Sequence, residues 1–264
     1  MTAKVGTVHS ISAICGIYSM YASDHQEQKA DAQRGFVFES IIDEICHVPW
    51  EKISNHEVLK IAKVYYYFSI QFRENLAIAC QLFPRDENLK KLYREECDTE
   101  NLSPFPGITQ VGERVNHDEF IKRLLQIQPV QQQSVLEQAG MTYLLQVRQI
   151  EPSIRARSIA SYEDGGLNSI FSAILRAPAW QGAGQQAFRF FLEEHIKFDS
   201  AGDDGHGALS RHLGRDDDIL PLWAAFKELL MAAVPILAET ASDVGRAQRD
   251  QGLHLGPVSL NSPA

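Results

Sequence analysis

His195 and Asp199 stand four residues apart in the segment FLEEHIKFDSAGDDGHGALS, residues 191–210. On a helix that spacing projects an imidazole and a carboxylate from the same face, one turn apart, where they can ligate one metal ion or two adjacent ones. His206 follows a glycine-rich loop and opens the next helical stretch, from which a third ligand can swing back. Taken alone, such a His/Asp pair is more often a surface hydrogen bond or ion pair. Two other regions add weight. In LKKLYREECDTE, residues 89–100, Glu96 continues the face of Leu89 and Leu92, with Glu100 a turn later. A carboxylate on an apolar stripe is costly unless it is paired or bound to a metal. Glu95, one position round, reads as solvated. VNHDEF then delivers His117, and Glu163 in IASYEDGG ends an amphipathic stretch just before Gly165 and Gly166. Three histidines and three carboxylates facing into a helical bundle meet the needs of a carboxylate-bridged di-iron centre. Imidazole and carboxylate suit non-heme iron, and three negative charges offset most of the charge on two ferrous ions.

Period-3.6 apolar spacing dominates the chain and hairpin signals are absent, so the elements that must carry these residues read as all-α. Phe36–His47 places its apolar residues largely on one side and stops before Pro49. Glu57–Phe83 is a long aromatic-rich helix ended by Pro84. Asp86 reads as the N-cap of a helix running to about Glu100. Asn101–Asn116, with two prolines and two glycines, reads as a loop. Asn116 with Glu119 resembles a capping box that puts His117 in the first turn of the next helix. Further helices are expected at Val130–Val147, Pro152–Leu175 with an interruption at Gly165 and Gly166, Gln185–Phe198, Gly207–Leu213 and Ile219–Ala241.

The 264 residues include 25 lysines and arginines against 34 aspartates and glutamates, a formal net charge of −9. That balance disfavours nucleic acid and anionic membrane surfaces as partners. No apolar run reaches the length of a membrane span. Four cysteines without a CxxC pair point to a reducing cytoplasm. Of the other histidines, His47 suits the dipole at a helix C-terminus, and His9, His25, His56, His212 and His254 read as solvent-facing. Tyr65, Tyr66 and Tyr67 could include a redox tyrosine near a metal site, but an aromatic stripe on a long helix reads first as core packing. Arg73, Arg114, Arg176 and Arg189 are candidates for binding a substrate carboxylate, and nothing in the sequence selects among them.

Glu96, His117, Glu163 and the His195-x3-Asp199…His206 segment together resemble the ligand set of the heme-oxygenase-like di-iron oxidases and oxygenases. That superfamily has a bundle of about seven core helices built like heme oxygenase, but binds non-heme iron. HVPW at residues 47–50, followed by an aromatic helix, resembles the start of that core, so the likeness runs from about Phe36 to Leu237. Two departures, a longer Glu96–His117 loop and the SAGDDG insertion before His206, leave the first carboxylate open among Glu95, Glu96 and Glu100. They leave the aspartate open among Asp199, Asp203 and Asp204. The polar, irregular ends read as a peripheral segment at residues 1–30 and a flexible tail at 244–264, and the resemblance implies a di-iron helical domain at 31–243 between them. It implies one iron on His117 and His195, the other on Glu163, Asp199 and His206, and Glu96 bridging or binding next to both. It further implies a cytoplasmic dioxygen-dependent enzyme with two ferrous ions, a small-molecule substrate, an external electron donor and a homodimeric state. N-oxygenation of an amine or guanidine leads. Oxidative C–C cleavage or desaturation of an amino acid or fatty acid stands second. A heme-oxygenase-like or thiaminase-like protein without a di-iron centre, or a non-catalytic helical binding module, is the rival from another class.

Overall fold

Ser54 starts the longest helix of the chain with a reciprocal cap. Its hydroxyl accepts from the Glu57 backbone N–H at 3.4 Å, and its own N–H donates to Glu57 Oε2 at 2.8 Å. This capping box moves the start two residues ahead of the Glu57 read from periodicity. A computed structural model of the protein describes residues 36–178, 180–199, 205–214 and 216–234. Apart from Phe36 and Val37, these belong to one compact unit that begins at Phe38. The elements are α1 (Val37–Cys46), α2 (Asn55–Leu82), α3 (Glu87–Cys97), α4 (His117–Ile127), α5 (Gln133–Val147), α6 (Pro152–Ser161), α7 (Leu167–Ile174), α8 (Ala183–Asp199), α9 (His206–Ser210) and α10 (Leu220–Ala233), with short 3₁₀ turns at Trp50–Lys52, Arg211–Leu213 and Asp217–Ile219. The all-α expectation holds among the described residues: there is no strand, only isolated pairings of Thr99 with Val115 and of Phe105 with Thr109. None of the described helices is long and apolar enough to cross a membrane.

α2 is buried over most of its circumference, leaving one half-buried stripe through Lys60, Lys63, Ile70 and Glu74. Its buried residues include Val58, Leu59, Ile61, Ala62, Val64, Tyr65, Phe68, Phe72 and Leu76, which no single helical face could accommodate. α3, α4, α5, α6, α8 and α10 each pack against it. The centre is aromatic: the Phe68 ring lies 4.3 Å from Phe226, 5.1 Å from Tyr162 and 5.3 Å from Tyr65, centroid to centroid. In HVPW, Trp50 is fully buried and donates its indole N–H to the Ile45 carbonyl at 2.9 Å, tying the 3₁₀ turn to the end of α1.

The boundaries differ from the sequence reading where backbone geometry intervenes. α3 ends at Cys97, short of Glu100, because Asp98 leaves the helical region and Val115 N–H then donates to Thr99 O at 3.1 Å. α5 starts three residues after Val130, since Gln132 adopts a positive φ of 58°. The Pro152–Leu175 stretch is broken, as the two glycines suggested, by a turn of π-helix at Tyr162–Gly166. α10 is described to Ala233; residues 235–264, like residues 1–35, lie outside the described residues.

Candidate metal centre

α3 presents Leu89, Leu92 and Glu96 to the interior, the first two fully buried and the carboxylate 5% exposed. The Thr99–Val115 pairing closes the following loop on itself, so that Val115, Asn116 and His117 return beside the end of α3. Asn116 Oδ1 then accepts from Glu119 N–H at 2.8 Å and starts α4 with His117 as its first residue. The cap is one-sided: the Glu119 side chain pairs with Arg123 and Lys122 instead of reaching back.

Glu96 Oε2 lies 2.9 Å from His117 Nδ1, which lies 3.0 Å from His195 Nε2. His195 is the buried end of the α8 face made by Phe188, Phe191 and Leu192. Its Nδ1 is 2.7 Å from the Phe191 carbonyl. A carbonyl only accepts, so Nδ1 carries the proton and Nε2 presents a lone pair to the cluster. Phe191 and Phe171 wall the ring at centroid distances of 4.1 and 5.6 Å. Burial, with the His117 charge, pushes the His195 pKa down to about 3. The ring is thus neutral and ready to donate its lone pair.

The other Glu96 oxygen, Oε1, lies 2.9 Å from His206 Nδ1. The same nitrogen is 3.3 Å from Asp199 Oδ1 and 3.4 Å from Glu163 Oε2. These four buried atoms converge, yet none makes a hydrogen bond of acceptable geometry. Buried polar atoms are ordinarily paired, so their common aim at one point fits a cation better than it fits each other. Glu96, His117 and His195 form one group whose donor atoms could hold a metal ion, and Glu96, Glu163 and His206 form a second.

The electrostatics follow from three buried carboxylates. Burial raises the Glu163 pKa well above the usual carboxylate range and the Asp199 charge adds to it. Burial likewise raises Asp199, against the opposing pull of His206. Glu96 goes the other way: burial would raise it, but His117 and His206 hold it well below its ordinary value. Burial disfavours the His206 imidazolium, yet Glu96, Asp199 and Glu163 outweigh that and keep its pKa raised.

The structure brings Glu96, His117, Glu163, His195, Asp199 and His206 together. Of the alternatives, Glu100 is turned out to Arg114 at 3.3 Å, while Asp203 and Asp204 lie outside the described residues. Glu95 is half-exposed, but it is not merely solvated: its Oε2 is 3.5 Å from His206 Nε2, on the side of the ring away from the carboxylates. The residue-by-residue reading missed this contact because it joins α3 to α9 across the fold. Of the three tyrosines that could have come near the metals, Tyr65 is both core and a neighbour of the site; burial raises its pKa first, and the charges of Glu96, Glu163 and Asp199 raise it further. None of the four candidate arginines is idle. Arg73 pairs with Asp118, Arg114 with Asp98 and Glu100, and Arg189 with Glu193, while Arg176 donates to the Cys46 and Val48 carbonyls. His47 closes α1 on the Asp43 carbonyl at 2.7 Å and His212 pairs with Asp86, while His9, His25 and His254 lie outside the described residues. Comparison with known proteins returned no matching family model, no matching curated protein and no matching solved structure.

Proposed function

We propose that this chain is a dioxygen-dependent non-heme di-iron oxidase or oxygenase, related to the heme-oxygenase-like di-iron enzymes, that N-oxygenates a small amine or guanidine. The observation that carries the reading is the division of Glu96: one carboxylate oxygen serves a two-histidine pocket and the other a pocket of one histidine and two more carboxylates. A structural ion pair has no use for two such pockets sharing one side chain, whereas a bridged metal pair does. His117 and His195 would hold one ion, and Glu163, Asp199 and His206 the other, with Glu96 between them. When bound, the iron pair supplies the two-electron reduction of dioxygen, which these side chains cannot perform themselves. The protein's own residues prepare the place. His195 is fixed by the Phe191 carbonyl, His206 is oriented from behind by Glu95, and Phe171 and Phe191 keep water from the imidazoles. The acidic surface favours approach of a cationic amine, which must lose its proton before nitrogen can be oxidised.

The test loads the chain anaerobically with ferrous iron, then admits labelled dioxygen with a panel of amines, guanidines, amino acids and fatty acids. Two irons per chain, with one label in a hydroxylated nitrogen product, is the expected result, and turnover should climb with pH through the substrate's ionisation. A cleaved or desaturated product moves the reading to C–C or C–H oxidation at the same centre. Absence of iron uptake together with a Soret band on adding heme, or activity that survives chelation, overturns it.

A further inference from the structure

The two halves of the cluster are held in different ways. Glu96, His117 and His195 project from helices of 11, 11 and 17 residues. Glu163 sits on a five-residue turn of π-helix, and His206 opens a five-residue helix. The five-residue helix of His206 is too short to fix itself by its own backbone hydrogen bonds, and the turn of Glu163, though continuous with α6 and α7, departs from regular helix between them. The turn is also irregular: Asp164 leaves the helical region at φ −88°, ψ 56°, and Gly165 follows at φ +95°. Something outside each piece has to set where Glu163 and His206 stand.

Two contacts join the pieces directly. The Arg211 guanidinium donates from Nη2 to Asp164 Oδ1 at 3.0 Å and from Nε to Asp164 Oδ2 at 3.2 Å, a two-pronged pair. Gly207 lies against the turn so closely that a Cβ there would come 3.0 Å from the Glu163 carbonyl oxygen and 3.1 Å from Asp164 Cα. Asp164 is the residue after Glu163, Gly207 is the residue after His206, and Arg211 follows one helical turn beyond Gly207. The contacts therefore act on the peptide units that carry the two donor side chains. Neither contact touches His117 or His195.

We propose that Asp164, Gly207 and Arg211 are positioning residues for the second metal pocket. The Asp164–Arg211 pair and the close approach at Gly207 hold Glu163 and His206 in register, while the Glu96, His117 and His195 pocket forms without them. This inference rests on the two-metal reading of the site and adds which residues make its second half bind.

Anaerobic titration of the full-length protein with cobalt(II), followed by calorimetry and by visible absorption, tests it. The absorption separates a pocket with two imidazoles from a pocket with one. The variants are Arg211→Ala, Asp164→Asn and Gly207→Ala, each with its metal-free Tm recorded. Alanine is the better helix former, so Gly207→Ala does not weaken α9 through propensity, and Arg211 is largely exposed, so its loss leaves the fold standing. The expected result is two ions on the wild type and, in each variant, a weaker second step by about tenfold, the size of effect seen when the supports of metal ligands are removed. The first step stays within error of wild type in every variant, and the metal-free Tm does so in Arg211→Ala and Asp164→Asn, whereas Gly207→Ala lowers it by a few degrees because its Cβ meets backbone. Two ions binding with an unchanged second step in Arg211→Ala and Gly207→Ala overturns the positioning role and leaves the two-metal reading intact. Equal weakening of both steps, or a fallen metal-free Tm in Arg211→Ala or Asp164→Asn, shows a general structural role and also overturns it. One ion or none on the wild type overturns the two-metal reading, and the positioning role with it.

Discussion

Glu96 is the residue on which both pockets depend, and its position explains how it stays ionised at 5% exposure. Burial alone would protonate it, but imidazoles on either side, each 2.9 Å from one of its oxygens, favour the carboxylate. Glu96→Gln keeps the shape and removes the charge, and is expected to reduce metal uptake from two ions to fewer than one per chain in an elemental analysis. Glu100→Gln, at a site turned to solvent and Arg114, should leave uptake unchanged. The pH dependence of uptake has a definite sign. His206 keeps its proton well above the usual histidine range in the metal-free protein, and Glu163 is likewise raised. Ligation needs the neutral ring and the carboxylate, so metal binding releases these protons. Apparent affinity must therefore rise with pH below the raised pKa of each group, by about tenfold per pH unit for each proton released. Calorimetric titrations at several pH values across the neutral range, in buffers of different ionisation enthalpy, measure both slope and proton count. An affinity that is flat or falls with pH would contradict the assignment.

At the scale of elements, the site sits where regular helix gives way. α6 and α7 would be one helix but for the turn at Tyr162–Gly166, which carries Glu163 inward and needs Gly165 at φ +95°. An L-residue there is strained by about 1–2 kcal/mol. Gly165→Ala should lower stability by that amount, read as a drop of a few degrees in Tm or a shifted denaturant midpoint. Gln132, at the start of α5, holds a positive φ of 58° and makes no cap, while its Oε1 accepts from Lys60 Nζ at 2.9 Å on the surface. Gln132→Gly relieves the backbone strain and gives up that exposed bond, and is expected to raise stability by a few tenths of a kcal/mol relative to Gln132→Ala, which gives up the bond and keeps the strain. A glycine variant no more stable than the alanine variant would show that backbone conformation does not govern this position.

For the whole molecule, the formal charge of −9 assumes every carboxylate ionised and every histidine neutral. The raised pKa values of His206, Glu163 and Asp199 mean that the metal-free chain carries protons there which two ferrous ions would displace, so loading changes the net charge by less than the four charges of the metal. The same exchange stabilises the fold by mass action, because the pockets exist only once α3, α4, α8, α9 and the π turn are assembled. Free metal at a hundred times its dissociation constant adds about 2.7 kcal/mol. For a domain of this size that is a rise of roughly 5–10 °C in Tm. Anaerobic thermal melts with and without ferrous iron, reversed by a chelator, measure it; an unchanged Tm would mean that the assembled fold holds no such pocket.

The chain alone determines the helical class, because 3.6-residue apolar spacing recurs from α1 to α10 with no competing period. It also marks His117, Glu163, His195 and His206 as candidates, with the first carboxylate open among Glu95, Glu96 and Glu100 and the aspartate open among Asp199, Asp203 and Asp204. Glu96 is conspicuous on the stripe of Leu89 and Leu92, and His195 and Asp199 share a face by spacing. Local signals reach as far as Asp86, which caps α3, and the paired glycines that interrupt α6 and α7. Periodicity fixes the face on which a side chain lies, but not what crosses that face from elsewhere in the chain. The choice of Glu96 over Glu95 and Glu100, the division of its two oxygens, the Glu95–His206 contact and the Asp164–Arg211 pair all join segments far apart in sequence. Those were decided only by the packing of α3, α4 and α8 around α2 and of α9 against α3 and the π turn, because burial and charge compensation are properties of the assembled interior.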